Sequence, residues 1–177
     1  MLIDVLHADG PNAALAQKLQ PYAFLPGRWH AEVLAHGESF GETTHRSTCQ
    51  IDAGWILDGR AIQDVWAIPD ATPARHDAPQ MPIAGNWFGT TLRVYDPNID
   101  AWRITWLDPA RNTFLSQIGR VEGKRIVQVG RGEDGRDWRW SFDDITAESF
   151  HWRGEFSADG GKSWTLVVEV LAKRAAS

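Results

Sequence analysis

Apolar and polar residues alternate with a period of two from about residue 29 almost to the end of the chain. This alternation marks ten runs: residues 29–36, 42–51, 55–68, 88–95, 101–107, 114–119, 125–131, 137–142, 149–156 and 163–171. Turn-forming residues separate most of the runs, as in Asp96-Pro97-Asn98 and Asp159-Gly160-Gly161. Short strands joined by tight turns favour an antiparallel meander, and closing a meander of about ten strands into a barrel removes its exposed edges. We therefore predict an all-β fold, an antiparallel up-and-down barrel.

The chain has 177 residues, which predicts one domain spanning residues 1–177. Its first 23 residues precede the alternation and contain a short helix over 11–20, which begins at Pro11 and ends before Pro21. A long connection over 69–87 carries four prolines and has no period. A loop of this length is either a lid over the mouth of the barrel or a surface excursion without a role.

Composition and motifs exclude several classes of function. The net charge is −5 and the 18 Lys and Arg residues are scattered, so we expect no nucleic-acid partner. One cysteine excludes an internal disulfide, and no long apolar run or signal-like start is present, so we expect a cytoplasmic protein with no membrane partner. The six histidines lack zinc-type spacing, and nucleotide and serine-hydrolase motifs are absent, so no metal and no cofactor is expected.

The alternation also assigns side chains to faces, and we place the apolar phase of each strand inside the barrel. The chain has 10 tryptophans, and six of those in the interior phase are Trp66, Trp102, Trp106, Trp138, Trp140 and Trp152. They either line a cavity for a flat or hydrophobic ligand or fill a solid core. The opposite phase predicts outer-wall residues in cross-strand charge pairs: Arg93, Arg103, Arg139, His151, Arg153 and Glu155.

A few polar residues fall in the interior phase: His45, Ser47, Arg60, Asp64, Ser116 and Gln128. Because a buried charge needs a partner, interior Arg60 and Asp64 should pair with each other, with His45, with a ligand or with water. We expect Asp64 to face His45 on the adjacent strand. Polar groups among aromatic ones in a concavity are typical of a small-molecule site, although these residues would also fit at the rim, paired locally. The phase of 55–68 is ambiguous, since Val65 also fits the interior.

The opening of the first strand, Phe24-Leu25-Pro26-Gly27-Arg28-Trp29, resembles the Gly-x-Trp signature of the calycins, the superfamily of lipocalins and fatty-acid-binding proteins. In that superfamily the Trp plugs the closed end of the barrel and a basic residue of the last strand stacks on it, which implies a Trp29–Arg174 pair. Segments such as Arg139-Trp140-Ser141-Phe142-Asp143-Asp144 and Phe156-Ser157-Ala158-Asp159-Gly160-Gly161 resemble an uncharacterised bacterial lipocalin-like family, so the resemblance spans residues 24–174. It implies the fold and no particular activity. The absence of a signal peptide and of paired cysteines departs from secreted lipocalins.

Three functions are consistent with such a barrel, and the first is binding of a small hydrophobic or aromatic molecule. The six tryptophans would form the walls, Arg60 would anchor a carboxylate or phenolate, and His45, Asp64, Ser116 and Gln128 would supply polar contacts. The second is a cofactor-free isomerase, lyase, dehydratase or cyclase, with His45 as acid or base, Asp64 orienting it and Arg60 stabilising an enolate or phenolate. The third is a haem-binding barrel with His45 or His151 as axial ligand. A homodimer is a further possible assembly.

Overall fold

The structure is a computed structural model that describes residues 1–36, 44–68, 87–109 and 111–176. The lid predicted over 69–87 falls outside the described residues, except for Trp87. The N-terminal segment contains α1 (Leu2–Leu6), a two-residue strand β1 (His7–Ala8) and α2 (Ala16–Leu19), which is flanked by 3₁₀ turns at Ala13–Leu15 and Gln20–Tyr22. The predicted helix over 11–20 is thus confirmed as a short helical stretch, whereas α1 was not predicted.

A closed antiparallel barrel of ten strands follows. Each strand pairs with the next along the chain, and the last strand pairs with the first to close the ring. β1 adds two residues to the edge of β3. The barrel strands are β2 (Gly27–Ala35), β3 (His45–Ile56), β4 (Ala61–Ile68), β5 (Trp87–Asp96), β6 (Ala101–Asp108), β7 (Thr113–Glu122), β8 (Arg125–Arg131), β9 (Asp137–Asp143), β10 (Ser149–Ser157) and β11 (Thr165–Arg174). The all-β barrel with a short helix is confirmed, and its form fits a calycin-like fold in general.

The run 55–68, which was predicted as one strand, belongs to two strands in the structure. The run 55–68 is interrupted by a tight turn over 57–60, in which Leu57, Asp58 and Gly59 all have positive φ. Leu57 is a residue type that rarely adopts positive φ, whereas Asp58-Gly59 is a turn-forming pair within the alternating run. Residues 55 and 56 therefore end β3, and β4 begins at Ala61.

The N-terminal segment plugs one end of the barrel, called the closed end below. Leu19, Tyr22 and Leu25 are completely buried there, as is Trp29 at the start of β2. The Arg174 guanidinium lies 4.1 Å from the centre of the Trp29 ring, so the pair implied by the resemblance is present. The turns β6–β7, β8–β9 and β10–β11 lie at the other end, called the open end.

The outer wall carries most of the predicted charge pairs. Arg139 binds both carboxylate oxygens of Glu155 on the neighbouring strand, at 2.8 and 2.9 Å. His151 lies 2.8 Å from Glu169, and Arg103 lies 2.6 Å from Asp96. Arg93 was wrongly placed on this wall. It is 1% exposed and points inward, because β5 turns Gly89, Thr91 and Arg93 to the core and leaves Leu92 and Val94 outside.

No helix within the described residues is long and apolar enough to cross a membrane.

Candidate functional site

Five tryptophans form one connected cluster in the half of the barrel nearer the open end. Ring centres are 5.4 Å apart for Trp66–Trp152 and Trp140–Trp152, and 6.0 Å apart for Trp106–Trp140, Trp87–Trp106 and Trp87–Trp152. Most of these contacts are tilted or edge-to-face, the arrangement that aromatic pairs prefer. Trp102 lies deeper, with its ring 4.6 Å from that of Tyr22. The tryptophans therefore fill most of the interior of the barrel and do not line a wide cavity.

A small cavity of about 30 Å³ remains within the cluster, called the inner cavity here. It is lined by Trp66, Trp87, Thr91, Arg93, Trp106, Trp140 and Trp152. A space of this size accommodates one or two water-sized groups, and an aromatic ring does not fit in it. The inner cavity as it stands is thus too small for the ligand expected from the sequence.

Close backbone packing holds Trp106 at the edge of this cavity. A Cβ atom on Gly89 would come within 2.5 Å of Trp106 Cζ2 and Cη2, and within 2.6 Å of the Leu107 carbonyl oxygen. The indole of Trp106 therefore lies directly on the backbone of β5 at a position where only glycine leaves room for it.

A buried ion pair adjoins the inner cavity. Arg93 Nη1 donates to Asp64 Oδ2, and the Thr91 backbone N–H donates to Asp64 Oδ1 at 3.1 Å. The two side chains are 1% and 0% exposed. Asp64 is thus inside the barrel as predicted, but its partner is Arg93 and not His45 or Arg60. Since both carboxylate oxygens are occupied and the Arg93 charge is balanced, the pair is electrically neutral as a unit.

Two hydrogen-bond donors of the inner cavity have no partner among the described residues. They are the indole N–H of Trp66 and the Nε–H of Arg93, both on buried side chains. Buried donors in proteins are nearly always paired with protein groups or with water. The lining of the cavity therefore includes two side chains with a donor for which the described residues supply no acceptor.

The Arg93 guanidinium also stacks near two rings below it, 5.4 Å from the centre of Tyr22 and 5.6 Å from that of Phe142. Burial raises the pKa of the Tyr22 hydroxyl far above its ordinary value, and the charge of Arg93 opposes this only in part. Tyr22 is therefore a neutral phenol at physiological pH and does not provide a second ionised partner for Arg93.

A larger cleft, of about 390 Å³, opens between the β6–β7 and β8–β9 turns at the open end. Trp106, Trp138 and Trp140 form its aromatic side, together with Phe114 and Leu115. Its volume falls in the range of small-molecule sites, roughly 300–1,000 Å³. Trp106 and Trp140 also line the inner cavity, so the two spaces adjoin at these residues.

Charged side chains surround the cleft. Arg136 donates from Nε to Asp134 Oδ2 at 2.7 Å and stacks 4.4 Å from the centre of the Phe156 ring. Partial burial lowers the pKa of Arg111, and Asp108 opposes that shift. The described lining contains three carboxylates and two guanidinium groups, so its net charge is −1. These groups belong to Asp108, Glu133, Asp134, Arg111 and Arg136. The cleft thus offers no surplus of positive charge to attract an anionic ligand.

The three residues proposed for catalysis lie far apart. Arg60 is in the turn at the closed end, more than half exposed, with its Nε 3.5 Å from Asp58. His45 is the exposed first residue of β3, whereas Asp64 pairs in register with Ala53, eight residues further along that strand. That separation is about 26 Å at 3.3 Å per residue. The interior position predicted for Arg60 was wrong because the turn at 57–60 takes it out of the strand.

The remaining predicted site residues have mixed positions. Ser116 is exposed, so its predicted inward orientation was wrong: β7 turns Leu115, Gln117 and Gly119 inward. Gln128 is completely buried, as predicted, with both side-chain amide atoms unpartnered among the described residues, but it lines neither space. Ser47 is half-buried.

Among the tryptophans, Trp106, Trp138 and Trp140 line the cleft, and Trp66 and Trp152 line the inner cavity only. Trp102 lines neither of these spaces. Sequence reasoning missed Arg93, Thr91 and Trp87, and the signal that would have found Arg93 is its unlike charge close to Asp64 on a neighbouring strand. Ligand binding by this set stays a prediction.

Neither histidine considered as a haem ligand points into the interior. His151 lies on the outer wall beside Glu169, which also accepts from His36 Nε2 at 2.8 Å. Across the described parts of the chain, no three His, Cys, Asp or Glu side chains are grouped so that they could hold a metal ion.

Comparison of the chain with models of known protein families found no match, and comparison with curated proteins found none either.

Proposed function

We propose that the barrel binds a small, planar, uncharged aromatic molecule in the open-end cleft, against Trp106, Trp138 and Trp140. The observation that carries this proposal is the cleft itself, a space of about 390 Å³ with an aromatic wall. Indole rings offer a flat ligand a large contact area at low entropic cost, since each has only two rotatable bonds. The charge balance of the lining favours a neutral ligand over the carboxylate or phenolate expected from the sequence.

We also propose that the barrel is a calycin, because its strands form a closed ring and the Arg174 guanidinium lies over the Trp29 ring. Binding at the open end accords with that architecture. No acid–base reaction is proposed, because His45, Asp64 and Arg60 do not meet.

A binding titration on two matched variants tests the cleft. Trp138 is half-buried at its rim, and Trp164 is half-buried outside it, 4.3 Å from Arg139 on the outer wall. With 2-acetylnaphthalene as the probe and calorimetry as the measurement, Trp138→Ala should weaken binding about tenfold or more, since buried aromatic anchors dominate such sites. Trp164→Ala should leave the affinity within about twofold. Equal losses in both variants, or no binding to the wild-type protein, would contradict the proposal.

A further inference from the structure

Two side chains that line the inner cavity, those of Trp66 and Arg93, each carry a buried hydrogen-bond donor that the described residues leave unpaired. Trp66 Nε1 and Arg93 Nε have no partner among the described residues, whereas the Asp64 carboxylate is fully engaged by Arg93 and Thr91. Two buried donors without an acceptor cost folding free energy unless something accepts from them. The cavity of about 30 Å³ has room for that one acceptor.

The charge of the site determines which acceptor fits. Arg93 carries a positive charge, but Asp64 balances it at hydrogen-bond distance, so a carboxylate or phosphate entering the cavity would bring an uncompensated charge into the core. A neutral oxygen with two lone pairs satisfies both donors without that cost. A carbonyl oxygen has this chemistry, and so does water.

The position of the cavity relative to the cleft determines where such an oxygen would come from. Trp106 and Trp140 line both spaces, and their ring centres are 6.0 Å apart. An aromatic ring lying in the cleft against these two indoles therefore adjoins the inner cavity. A carbonyl attached directly to that ring would reach the donors once the Trp140 indole turns aside, since Trp106 is held against the backbone of β5.

From this geometry we infer that the inner cavity is a subsite for a neutral acceptor oxygen, which selects aromatic ketones, aldehydes or esters over aromatic acids and hydrocarbons. Trp66 Nε1–H and Arg93 Nε–H are the recognising donors, and Asp64 keeps Arg93 in place and its charge balanced. The inference rests on the proposed function, because the cleft must hold the ring for the oxygen to reach the subsite.

The test compares three probes of similar size: 2-acetylnaphthalene, its C=CH₂ isostere 2-isopropenylnaphthalene, and 2-naphthoate. Affinities are measured by calorimetry, and the indole N–H signal of Trp66 is followed by ¹H–¹⁵N NMR. The wild-type protein should bind the ketone about tenfold more tightly than the alkene and more tightly than the acid, as expected when buried donors would otherwise stay unpaired. The Trp66 N–H signal should shift with the ketone and not with the alkene.

Conservative variants assign the preference to a single N–H group. Trp66→Phe removes the donor and keeps a ring, so it should lower the ketone preference to within about threefold and leave the alkene affinity nearly unchanged. Trp164→Phe makes the same change of ring at a position outside both the cleft and the inner cavity and should keep the preference.

The outcomes separate this inference from the proposed function. Equal binding of ketone and alkene, with an unmoved Trp66 signal, would mean that water alone occupies the inner cavity, and would overturn the subsite while the cleft stands. Failure of all three probes to bind would overturn both. A preference that survives in Trp66→Phe would also overturn the assignment of the donors.

Discussion

At the scale of single residues, the Asp64–Arg93 pair is the most consequential feature of the interior. Both side chains are almost completely buried, and two groups donate to the carboxylate, one guanidinium nitrogen of Arg93 and the Thr91 backbone N–H. The guanidinium in turn lies near the rings of Tyr22 and Phe142. A buried ion pair of this kind contributes little net stability compared with apolar residues of the same volume, but removing one member leaves an uncompensated charge. The pair therefore acts as a unit in both folding and binding.

Asp64→Ala should destabilise the fold by about 3–5 kcal/mol, because it leaves Arg93 charged and unpaired in the core. The free energy of unfolding from urea titration monitored by tryptophan fluorescence measures the effect. The double variant Asp64→Leu with Arg93→Met should recover most of the loss, since neither charge then remains buried. A loss of less than about 1 kcal/mol in Asp64→Ala would show that water reaches Arg93 and that the pair is not isolated from solvent.

Residue types alone predicted Asp64 inside and could not identify its partner. The alternation correctly grouped Asp64 with Ile62 and Trp66 on the inner face of β4. It assigned Arg93 to the outer wall because Leu92 and Val94 are the more apolar phase of β5. Contacts with the neighbouring strand β4 determine which phase of β5 faces inward. Asp64 on β4 is opposite Thr91, two residues from Arg93, and the buried Asp64 carboxylate requires a cation nearby.

At the scale of elements, β7 shows the same limit of prediction. Phe114, Ser116 and Ile118 form its outward phase, although two of the three are strongly apolar. The inward phase contains Gly119, at which a Cβ atom would lie 2.6 Å from Ile104 Cδ1 and 3.0 Å from the Tyr22 hydroxyl oxygen. Tyr22 belongs to the N-terminal segment, so the space that requires glycine is created by a distant part of the chain. No local pattern in β7 contains that information.

The β10–β11 turn is an element organised by one carboxylate. Asp159 Oδ1 accepts from the backbone N–H of Ser163 at 2.9 Å and of Lys162 at 3.0 Å, and the Ser157 hydroxyl donates to it at 2.7 Å. The Ser163 N–H bond, followed by the Ser157 and Ser163 hydroxyls, lowers the pKa of Asp159 from 3.8 to about 2. The charged form is thus the one that the turn stabilises.

We expect the turn to depend on pH with a sign set by this lowered pKa. Its contribution to stability is complete above about pH 4, where the unfolded chain is also ionised, and is lost as the pH falls through about 2, where the folded carboxyl protonates. The amide signals of Lys162 and Ser163 in ¹H–¹⁵N spectra should therefore titrate with a midpoint near 2. Asp159→Asn is the control, in which the titration should disappear. A midpoint near the ordinary 3.8 would show that the turn does not prefer the charged form.

At the scale of the whole molecule, the sequence predicted the architecture better than the site. Period-two alternation and turn residues are local signals repeated along the chain, so errors at single strands, such as the missed turn at 57–60, do not change a meander of about ten strands into another fold. The site depends on which of two phases faces inward, and on the contacts of the N-terminal segment with the barrel. Those are determined by packing across strands. The sequence therefore could not decide between a Trp-lined and a Trp-filled interior, and it did not predict the Asp64–Arg93 pair.

Closure of the barrel joins its first and last strands and its N-terminal plug at one side chain. Arg174, at the end of β11, donates from Nη2 to the Phe24 carbonyl at 2.7 Å, from Nη1 to the Pro26 carbonyl at 3.0 Å and from Nε to the Ala147 carbonyl at 2.7 Å. Its guanidinium also covers the buried Trp29 ring. One group thus connects the plug, β2 and the β9–β10 turn to β11, so its loss should affect the molecule as a single cooperative unit.

Arg174→Ala should lower the free energy of unfolding by about 2–4 kcal/mol, from several charge-assisted hydrogen bonds and one cation–π contact. The neighbouring Lys173→Ala is the matched control, because Lys173 is exposed on the same strand and should change stability by less than about 0.5 kcal/mol. Arg174→Lys keeps the charge over Trp29 but cannot donate to three separate carbonyls. Its free energy of unfolding should therefore lie between those of Arg174→Ala and Lys173→Ala. Thermal and urea denaturation should each show one transition in all three variants. If Arg174→Ala matched Lys173→Ala, the closed end would be held by apolar packing of Leu19, Tyr22 and Leu25 alone, and the guanidinium would be dispensable to closure.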